Sequence, residues 1–261
     1  MAATATQSGR NERDPGGGGS GRAPRRWSPG TILQGLGITV GLVAMIGGFV
    51  LLAVHYRPYS VPTTSMAPTI AAGDTVLAHP VKPADIGRGD VVIFNDPLWE
   101  GSDIVKRVVA VGGDTVACCD SSGRITVNGH PVTEPYAASA GLTGPTSQMN
   151  FSAVVPKGRL FLLGDNRAVS QDSRFHLSIA DGTVAASQVV ARVEGIAWPL
   201  GDARTIPRTS AFDALPGADA TAHGPLVAEV WAVLGGAALV LVTAALGTFG
   251  GLVRRLRGRR G

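Results

Sequence analysis

A serine and a lysine are the residues of this chain whose types and surroundings could do chemistry together. Ser65 lies in residues 61–70, VPTTSMAPTI, where threonines and prolines stiffen the backbone around a small hydroxyl. Lys106 lies in the apolar residues 104–111, IVKRVVAV. A serine becomes a nucleophile when a neighbouring base takes its proton, and an unprotonated lysine is such a base. The two residues therefore predict nucleophilic catalysis.

Lys106 could act as that base if its face of a strand points into the core. Strand alternation places it on one face with Ile104 and Val108, as a lone cation among apolar side chains. Burial lowers the pKa of an amine because it disfavours the charged form. Arg107 falls on the opposite face, where we expect an ordinary solvated charge. The alternative is that Lys106 and Arg107 are both surface residues.

Other catalytic machinery leaves no recognisable pattern in the chain. There is no G-x-S-x-G and no H-E-x-x-H, and the histidines stand beside no matching serine or carboxylate signature. Cys118 and Cys119 are adjacent, and neighbouring side chains rarely chelate one ion. Whether these cysteines are free, bridged to each other or bonded between molecules stays open. We expect no metal site.

Two apolar runs predict membrane-spanning helices over residues 31–54 and 230–253. Each has 24 residues, and a hydrocarbon core about 30 Å thick needs roughly 20 helical residues. A cleaved signal peptide is the alternative for the first run, but such segments have a shorter apolar region and a small-residue cleavage site. A buried core helix is the alternative for the second, which its length and the following RRLRGRR disfavour.

The basic residues lie at the two ends of the chain. The net charge is +4, but arginines concentrate in residues 1–30, a Gly- and Arg-rich stretch that we expect to be a disordered tail, and in the basic tail 254–261. The middle is mildly acidic, which argues against nucleic-acid binding. Positive residues favour the cytoplasmic side. We therefore expect a multi-pass protein of the plasma membrane, with both tails cytoplasmic and residues 55–225 on the extracytoplasmic side.

The part between the spans reads as a mainly β domain with coil-like loops. Short β-rich runs are separated by Gly, Pro, Asp and Asn, and Asn128-Gly129 between alternating runs is a strong hairpin signal. Residues 118–158 read as an insertion, irregular over 134–156. The predicted strands are residues 75–79, 90–94, 104–111, 115–118, 125–127, 159–163 and 189–197.

Four motifs in order resemble those of the type I signal peptidases. They are SMAPT, RGDVVIF, VKRVVAVGGDTV and GDNRAVSQDSR, and the resemblance covers roughly residues 31–200. The family comprises membrane-bound Ser/Lys endopeptidases of serine protease family S26, and the two-span layout with a basic end is similar to actinobacterial members. The resemblance implies removal of N-terminal signal peptides after a small-x-small site through an acyl-enzyme, without a cofactor. It implies signal peptides, the lipid bilayer and the secretion translocon as partners.

The resemblance also implies a role for each motif residue. Ser65 matches the nucleophile and Lys106 the general base. The Ser65 backbone N–H and the Thr63 hydroxyl match the two oxyanion donors, although relatives often carry serine at the second position. Ser170 matches a serine that orients the lysine, and Asp172 and Arg174 match a supporting ion pair. The chain departs from the family at Ala168-Val169, where two polar residues are usual.

A substrate with two small side chains implies an extended peptide lying beside a strand with two shallow pockets. Candidate pocket walls are Val61, Pro62, Met66 and Val105, and ordinary core packing is the alternative for each. Two rival functions remain. Self-cleaving Ser/Lys repressors are soluble and carry a DNA-binding domain, which the spans contradict. A non-enzymatic membrane-tethered β-domain that binds a partner outside the cell predicts that Ser65→Ala is silent.

Overall fold

The computed structural model describes residues 29–99, 101–137, 149–217, 224–257 and 259. Residues 1–28, most of the expected disordered tail, lie outside the described residues, as does much of the expected irregular insertion. Two long helices, α1 (Pro29–His55) and α2 (Leu226–Arg257), flank a β-rich domain. Its strands are β1 (Arg57–Ser60), β2 (Thr75–His79), β3 (Val91–Asn95), β4 (Asp103–Val111), β5 (Thr115–Cys118), β6 (Ile125–Val127), β7 (His130–Pro131), β8 (Phe151–Val154), β9 (Arg159–Leu163), β10 (Thr183–Ala185), β11 (Val189–Trp198) and β12 (Arg204–Thr205).

The strands form two antiparallel sheets. The larger has the order β1-β2-β11-β3-β4-β9-β10, with β12 added beside β11. The smaller has the order β7-β6-β5-β8. The prediction of a mainly β fold between two apolar helices is confirmed.

Apolar clusters cover both faces of the larger sheet around β3. Val91 and Ile93 belong to one buried cluster, whereas Val92 and Phe94 belong to another. The neighbouring strand β4 is buried continuously from Lys106 to Ala110. A strand covered on both faces buries consecutive side chains, charged ones included. This arrangement buries the side chains of both Lys106 and Arg107.

The helices α1 and α2 are each long and apolar enough to cross a membrane. They run antiparallel and approach closely at Gly41 and Gly236, where a Cβ added to Gly236 would lie 2.6 Å from the Gly41 carbonyl oxygen. Small residues commonly allow such close packing between membrane helices. Helix α1 begins two residues before its predicted span and ends one residue after it, and α2 extends four residues beyond its predicted span at each end.

The sequence predicts one of two local features, a hairpin, but not the other, strand β8. Asn128 and Gly129 have φ of 54° and 79°, as the predicted hairpin between β6 and β7 requires. Strand β8 was not expected, because it lies in the stretch interpreted as irregular. It pairs with β5, and its Phe151 stacks on Phe161 with ring centroids 5.4 Å apart.

Cys118 and Cys119 are joined to each other in a disulfide, which is one of the three states that the sequence left open.

Candidate active site

Ser65 lies on the loop between β1 and β2, and buried side chains hold this loop in place. Met66 and Ile70, which follow the serine, are fully buried in the core. The Ile70 amide donates to the Met66 carbonyl at 2.9 Å, and Val61 exchanges backbone hydrogen bonds with residues 73 and 74. Ser65 itself is only 8% exposed. The stiff sequence thus gives a hydroxyl fixed at the edge of the core.

Lys106 reaches Ser65 from the middle of the larger sheet. Its strand β4 lies between β3 and β9, and Lys106 pairs with Val92. The Nζ atom lies 3.0 Å from Ser65 Oγ and 3.2 Å from the Val105 carbonyl oxygen. Lys106 is 4% exposed, and Ile104 and Val108 pack into the apolar cluster on its face. This is the geometry of a nucleophile beside a buried amine base.

Thr63 and the backbone of Ser65 supply donors on the same loop. The Thr63 hydroxyl donates to Ser65 Oγ at 3.1 Å. Within the described residues, the backbone N–H of Ser65 donates to no protein acceptor. A hydroxyl and an unused N–H beside a nucleophile are suitable donors to a developing oxyanion.

The turn after β9 packs against the back of the nucleophile loop. The Asn166 amide donates to the Ser65 carbonyl oxygen at 3.0 Å. Gly164 leaves the space that this contact needs, because a Cβ there would collide with the Ser65 carbonyl oxygen and the Ser170 side chain. Ser170 is buried, but its Oγ has no hydrogen-bond partner among the described residues. The predicted bond that orients Lys106 is therefore not formed in this structure.

Asp172 and Arg174 form a buried ion pair that ties the same turn to the sheet. The Nε and Nη2 atoms of Arg174 each lie 2.8 Å from an Asp172 carboxylate oxygen. Asp172 also accepts from the Gly164 amide at 3.0 Å. Arg174 donates to the Arg167 carbonyl oxygen at 3.0 Å. The ion pair that the resemblance implies is therefore formed, and its role in supporting the site stays a prediction.

The expectation of a solvated Arg107 is wrong. Arg107 is 2% exposed and donates through Nε and Nη2 to the two oxygens of Asp165, at 2.8 and 2.6 Å. Burial alone would lower the pKa of Arg107, but Asp165 raises it above its ordinary value. Thr69, on the nucleophile loop, donates to the same carboxylate at 2.5 Å. The charge is buried because both faces of β4 are covered.

A third buried ion pair, between Arg167 and Glu134, joins the turn to the start of residues 134–156. Arg167 donates to Glu134 at 2.9 and 2.6 Å and to the Gly164 carbonyl oxygen at 2.9 Å. Tyr136 donates to Glu134 at 2.6 Å, and the Arg107 guanidinium lies 4.0 Å from the centre of its ring. Burial, with Glu134 beside it, raises the pKa of Tyr136 well above its ordinary value. The phenol therefore stays neutral.

A cleft of about 280 Å³ opens beside Ser65 and Lys106. Three of the four predicted pocket walls line it, namely Val61, Pro62 and Val105. Met66 does not, because its side chain is fully buried in the core. The sequence did not predict that Asp103, Ile104, Val169 and Gln171 would also line the cleft.

Sequence reasoning missed the charged residues behind the dyad, and only part of that set had a signal. Asp165 and Arg167 lie inside the motif GDNRAVSQDSR, but no catalytic or ion-pairing role was predicted for either. Arg107 follows Lys106 in a strand whose alternating pattern predicts one solvated face. Glu134 and Tyr136 are distant in sequence and carry no local signal.

Comparison with known proteins identifies the family. Residues 33–198 match the family described as "Signal peptidase, peptidase S26". A probable signal peptidase I of Mycobacterium leprae is 31% identical over 207 residues, covering 58% of this chain and 71% of that protein. A signal peptidase I of Mycobacterium tuberculosis CDC 1551 is 31% identical over 209 residues, covering 61% and 71%.

A crystal structure of a signal peptidase I from Enterococcus faecalis V583 is 28% identical to this chain. The match covers 41% of this chain and 95% of that one, with a TM-score of 0.35. This superposition is loose, so the family assignment rests on the sequence match. Because residues 33–198 make up more than half of the 261 and contain all four motifs, the chain belongs to the signal peptidase family, peptidase S26.

Proposed function

We propose that this chain removes signal peptides from preproteins by an acyl-enzyme mechanism, with Ser65 as the nucleophile and Lys106 as the general base. Family membership makes it a serine endopeptidase that acts on signal peptides. The assignment of the dyad is carried by one observation, the 3.0 Å distance between Lys106 Nζ and Ser65 Oγ. The burial of Lys106 supports it, because a low-polarity environment favours the uncharged amine that a base must be.

Acylation begins when Ser65 Oγ attacks the carbonyl carbon after a small residue and Lys106 takes the hydroxyl proton. The tetrahedral oxyanion accepts hydrogen bonds from the Ser65 backbone N–H and the Thr63 hydroxyl. The C–N bond then breaks, and the protonated Lys106 gives its proton to the departing amine. The mature protein leaves with a new N-terminus, and the signal peptide stays as an ester on Ser65.

Deacylation repeats the same steps with water. Lys106 takes a proton from a water molecule, which attacks the ester carbonyl, and the ester bond breaks with return of the proton to Ser65 Oγ. Ser170, Asp172 and Arg174 act by holding the surrounding turn in place. The cleft beside Val61, Pro62 and Val105 would receive the small side chains of an extended substrate.

The membrane arrangement that fits this activity places both spans in the plasma membrane and the peptidase domain outside the cytoplasm. The ends of the two apolar helices that join the β-rich domain lie together, since His55 at the end of α1 has its Nδ1 atom 2.6 Å from Oε1 of Glu229 near the start of α2. The arginine-rich termini favour the cytoplasm. The site would then meet signal peptides in the bilayer as they leave the secretion translocon.

The test is cleavage of a preprotein by the purified full chain, with sequencing of the new N-terminus. Cleavage after a small-x-small site is expected, and Ser65→Ala should abolish it. The matched control is Ser178→Ala, at an exposed serine. A Ser65→Ala protein that cleaves at the wild-type rate would reject the dyad, and a wild-type protein that cleaves nothing would favour the non-enzymatic alternative.

A further inference from the structure

A polar cluster joins the outer ends of α1 and α2 to the peptidase domain. At one side of it, His55 of α1 and Glu229 of α2 lie with Nδ1 and Oε1 2.6 Å apart. At the other, Glu194 of β11 accepts from the Tyr56 hydroxyl and from the Gly224 amide, both at 2.7 Å. Glu194 therefore holds both the chain leaving α1 and the chain entering α2. We call His55, Tyr56, Glu194 and Glu229 the latch.

The backbone of β11 has an irregularity at Glu194. In the pairing with β2, Val193 lies opposite Ala78 and Gly195 lies opposite Leu77, so Glu194 is an extra residue on its strand. Bulges of this kind re-aim a side chain and are common beside functional sites. Here the bulge accompanies the carboxylate that contacts the ends of both spans.

Three of the four latch residues are buried, whereas the His55 side chain is 37% exposed. Two spans can anchor a domain without any such cluster. Tyr56, Glu194 and Glu229 are only 3%, 2% and 5% exposed. Burying a carboxylate is costly unless it is well hydrogen-bonded. A simple tether could join span and domain through a flexible polar linker instead. The buried contacts fix the two spans relative to the sheet.

A short path of paired strands connects the latch to the catalytic base. Arg192, two residues before Glu194, donates to it at 3.2 Å. Arg192 lies opposite Val92 on β3, and Val92 lies opposite Lys106 on β4. On the side of the nucleophile, Ser65 follows His55 by only ten residues. Both Ser65 and Lys106 are therefore connected by short paths through the structure to the ends of the spans that join the domain.

We propose that the latch is a positioning device that fixes the height and tilt of the active site over the bilayer, and so selects which bond of a membrane-inserted signal peptide is cut. The proposal rests on the proposed function. A signal peptide's apolar segment lies in the bilayer, which fixes the depth of its cleavage site. A site held at a set height meets one peptide bond, whereas a loosely tethered site meets several. The latch residues act through this placement and do not touch the substrate.

The experiment compares two substrates for the full chain in lipid vesicles. One is a soluble peptide spanning a cleavage site, and the other is a preprotein inserted in the same vesicles. The variants are Glu194→Gln, which weakens the latch, and Tyr56→Phe, which removes one hydroxyl and preserves packing. Tyr59→Phe, at a neighbouring tyrosine outside the latch, is the matched control. Rates are measured together with the new N-termini by mass spectrometry.

The latch variants should keep the wild-type rate on the peptide. On the preprotein they should lose on the order of 10²-fold, the cost of an ångström-scale misplacement, or cut at neighbouring bonds as well. Unchanged rate and cleavage position on the preprotein would overturn the proposal. Equal losses on both substrates would also overturn it, because they indicate a purely structural role. Activity of Ser65→Ala on the peptide would instead reject the proposed function.

Discussion

Arg107 and Asp165 form a buried, bidentate ion pair that links the strand of Lys106, the proposed base, to the turn that supports Ser65, the proposed nucleophile. Arg107 directly follows Lys106 on β4, and Asp165 directly precedes Asn166, whose amide holds the Ser65 carbonyl oxygen. The two pairs of atoms lie 2.8 and 2.6 Å apart. The pair therefore holds together the two segments that must keep the dyad in contact.

Asp165→Asn should destabilise the protein severely. It leaves the Arg107 charge buried without its partner, which typically costs about 3–5 kcal/mol. The midpoint of denaturant unfolding in detergent would measure the loss. Asp120→Asn is the control, since it breaks an ion pair with the partly exposed Arg124, and it should shift the midpoint little. Equal midpoints for Asp165→Asn and wild type would contradict the assigned role.

At acidic pH, protonation of Asp114 should weaken the contacts that join the smaller sheet to the rest of the domain. Burial alone would raise the pKa of Asp114, but hydrogen bonds from Arg88, the Val111 amide and Asn128 lower it below its ordinary value. A lowered pKa means that the ionised carboxylate stabilises the fold above the ordinary pKa of 3.8, and that this contribution is lost as the pH falls further.

Asp114→Asn should therefore be less stable than wild type at neutral pH, and the gap should narrow as the pH falls below the ordinary aspartate value. Thermal unfolding at several pH values would measure both curves. Asp202→Asn, at an exposed position, is the control. A gap that stays constant down to strongly acidic pH would mean that Asp114 does not stabilise the fold through its charge.

Thr63→Ala should lower kcat by roughly 10²–10³-fold with little change in KM, because an oxyanion donor acts in the transition state. Thr63→Ser keeps the hydroxyl and should retain most of the activity. Steady-state cleavage of a soluble peptide separates the two constants. Wild-type kcat in the alanine variant would remove Thr63 from the oxyanion site.

The topology leads to a prediction of its own. Protease added to intact protoplasts should digest residues 55–225 and leave tags at both termini intact, because the arginine-rich tails favour the cytoplasm. Immunoblotting of each tag, with detergent-lysed protoplasts as the control, measures the result. A protected middle with digested tails would reverse the orientation.

The contact between Ser65 and Lys106 could be expected from the sequence because each residue lies in a distinctive local pattern. Ser65 lies in a stiff loop after an apolar span, and Lys106 interrupts a strand of apolar residues. The partners of Arg107 could not be predicted this way, since the solvation of β4 depends on clusters contributed by distant strands. Glu134 and β8 were missed because their partners, Arg167 and β5, lie more than 30 residues away along the chain.

Tertiary packing also determines the surroundings of Ser170 and Met66. The motif gives the position of Ser170 in the chain, but the direction of its hydroxyl depends on the packing around Gly164. Met66 adjoins the nucleophile in sequence, yet the loop turns its side chain into the core. Position in the sequence therefore predicted which segments lie near the cleft, whereas tertiary packing determined which of their side chains face it.

The most direct test of the account is the initial rate of preprotein cleavage by Lys106→Arg. Arginine keeps the positive charge but stays protonated and cannot act as a base. The variant should lose on the order of 10²–10⁴-fold in rate, the range of general base catalysis, while Lys157→Arg, at an exposed lysine, should match wild type. Thermal unfolding would verify that both variants are folded. A folded Lys106→Arg enzyme that cleaves at near the wild-type rate would contradict the assignment of Lys106 as the base.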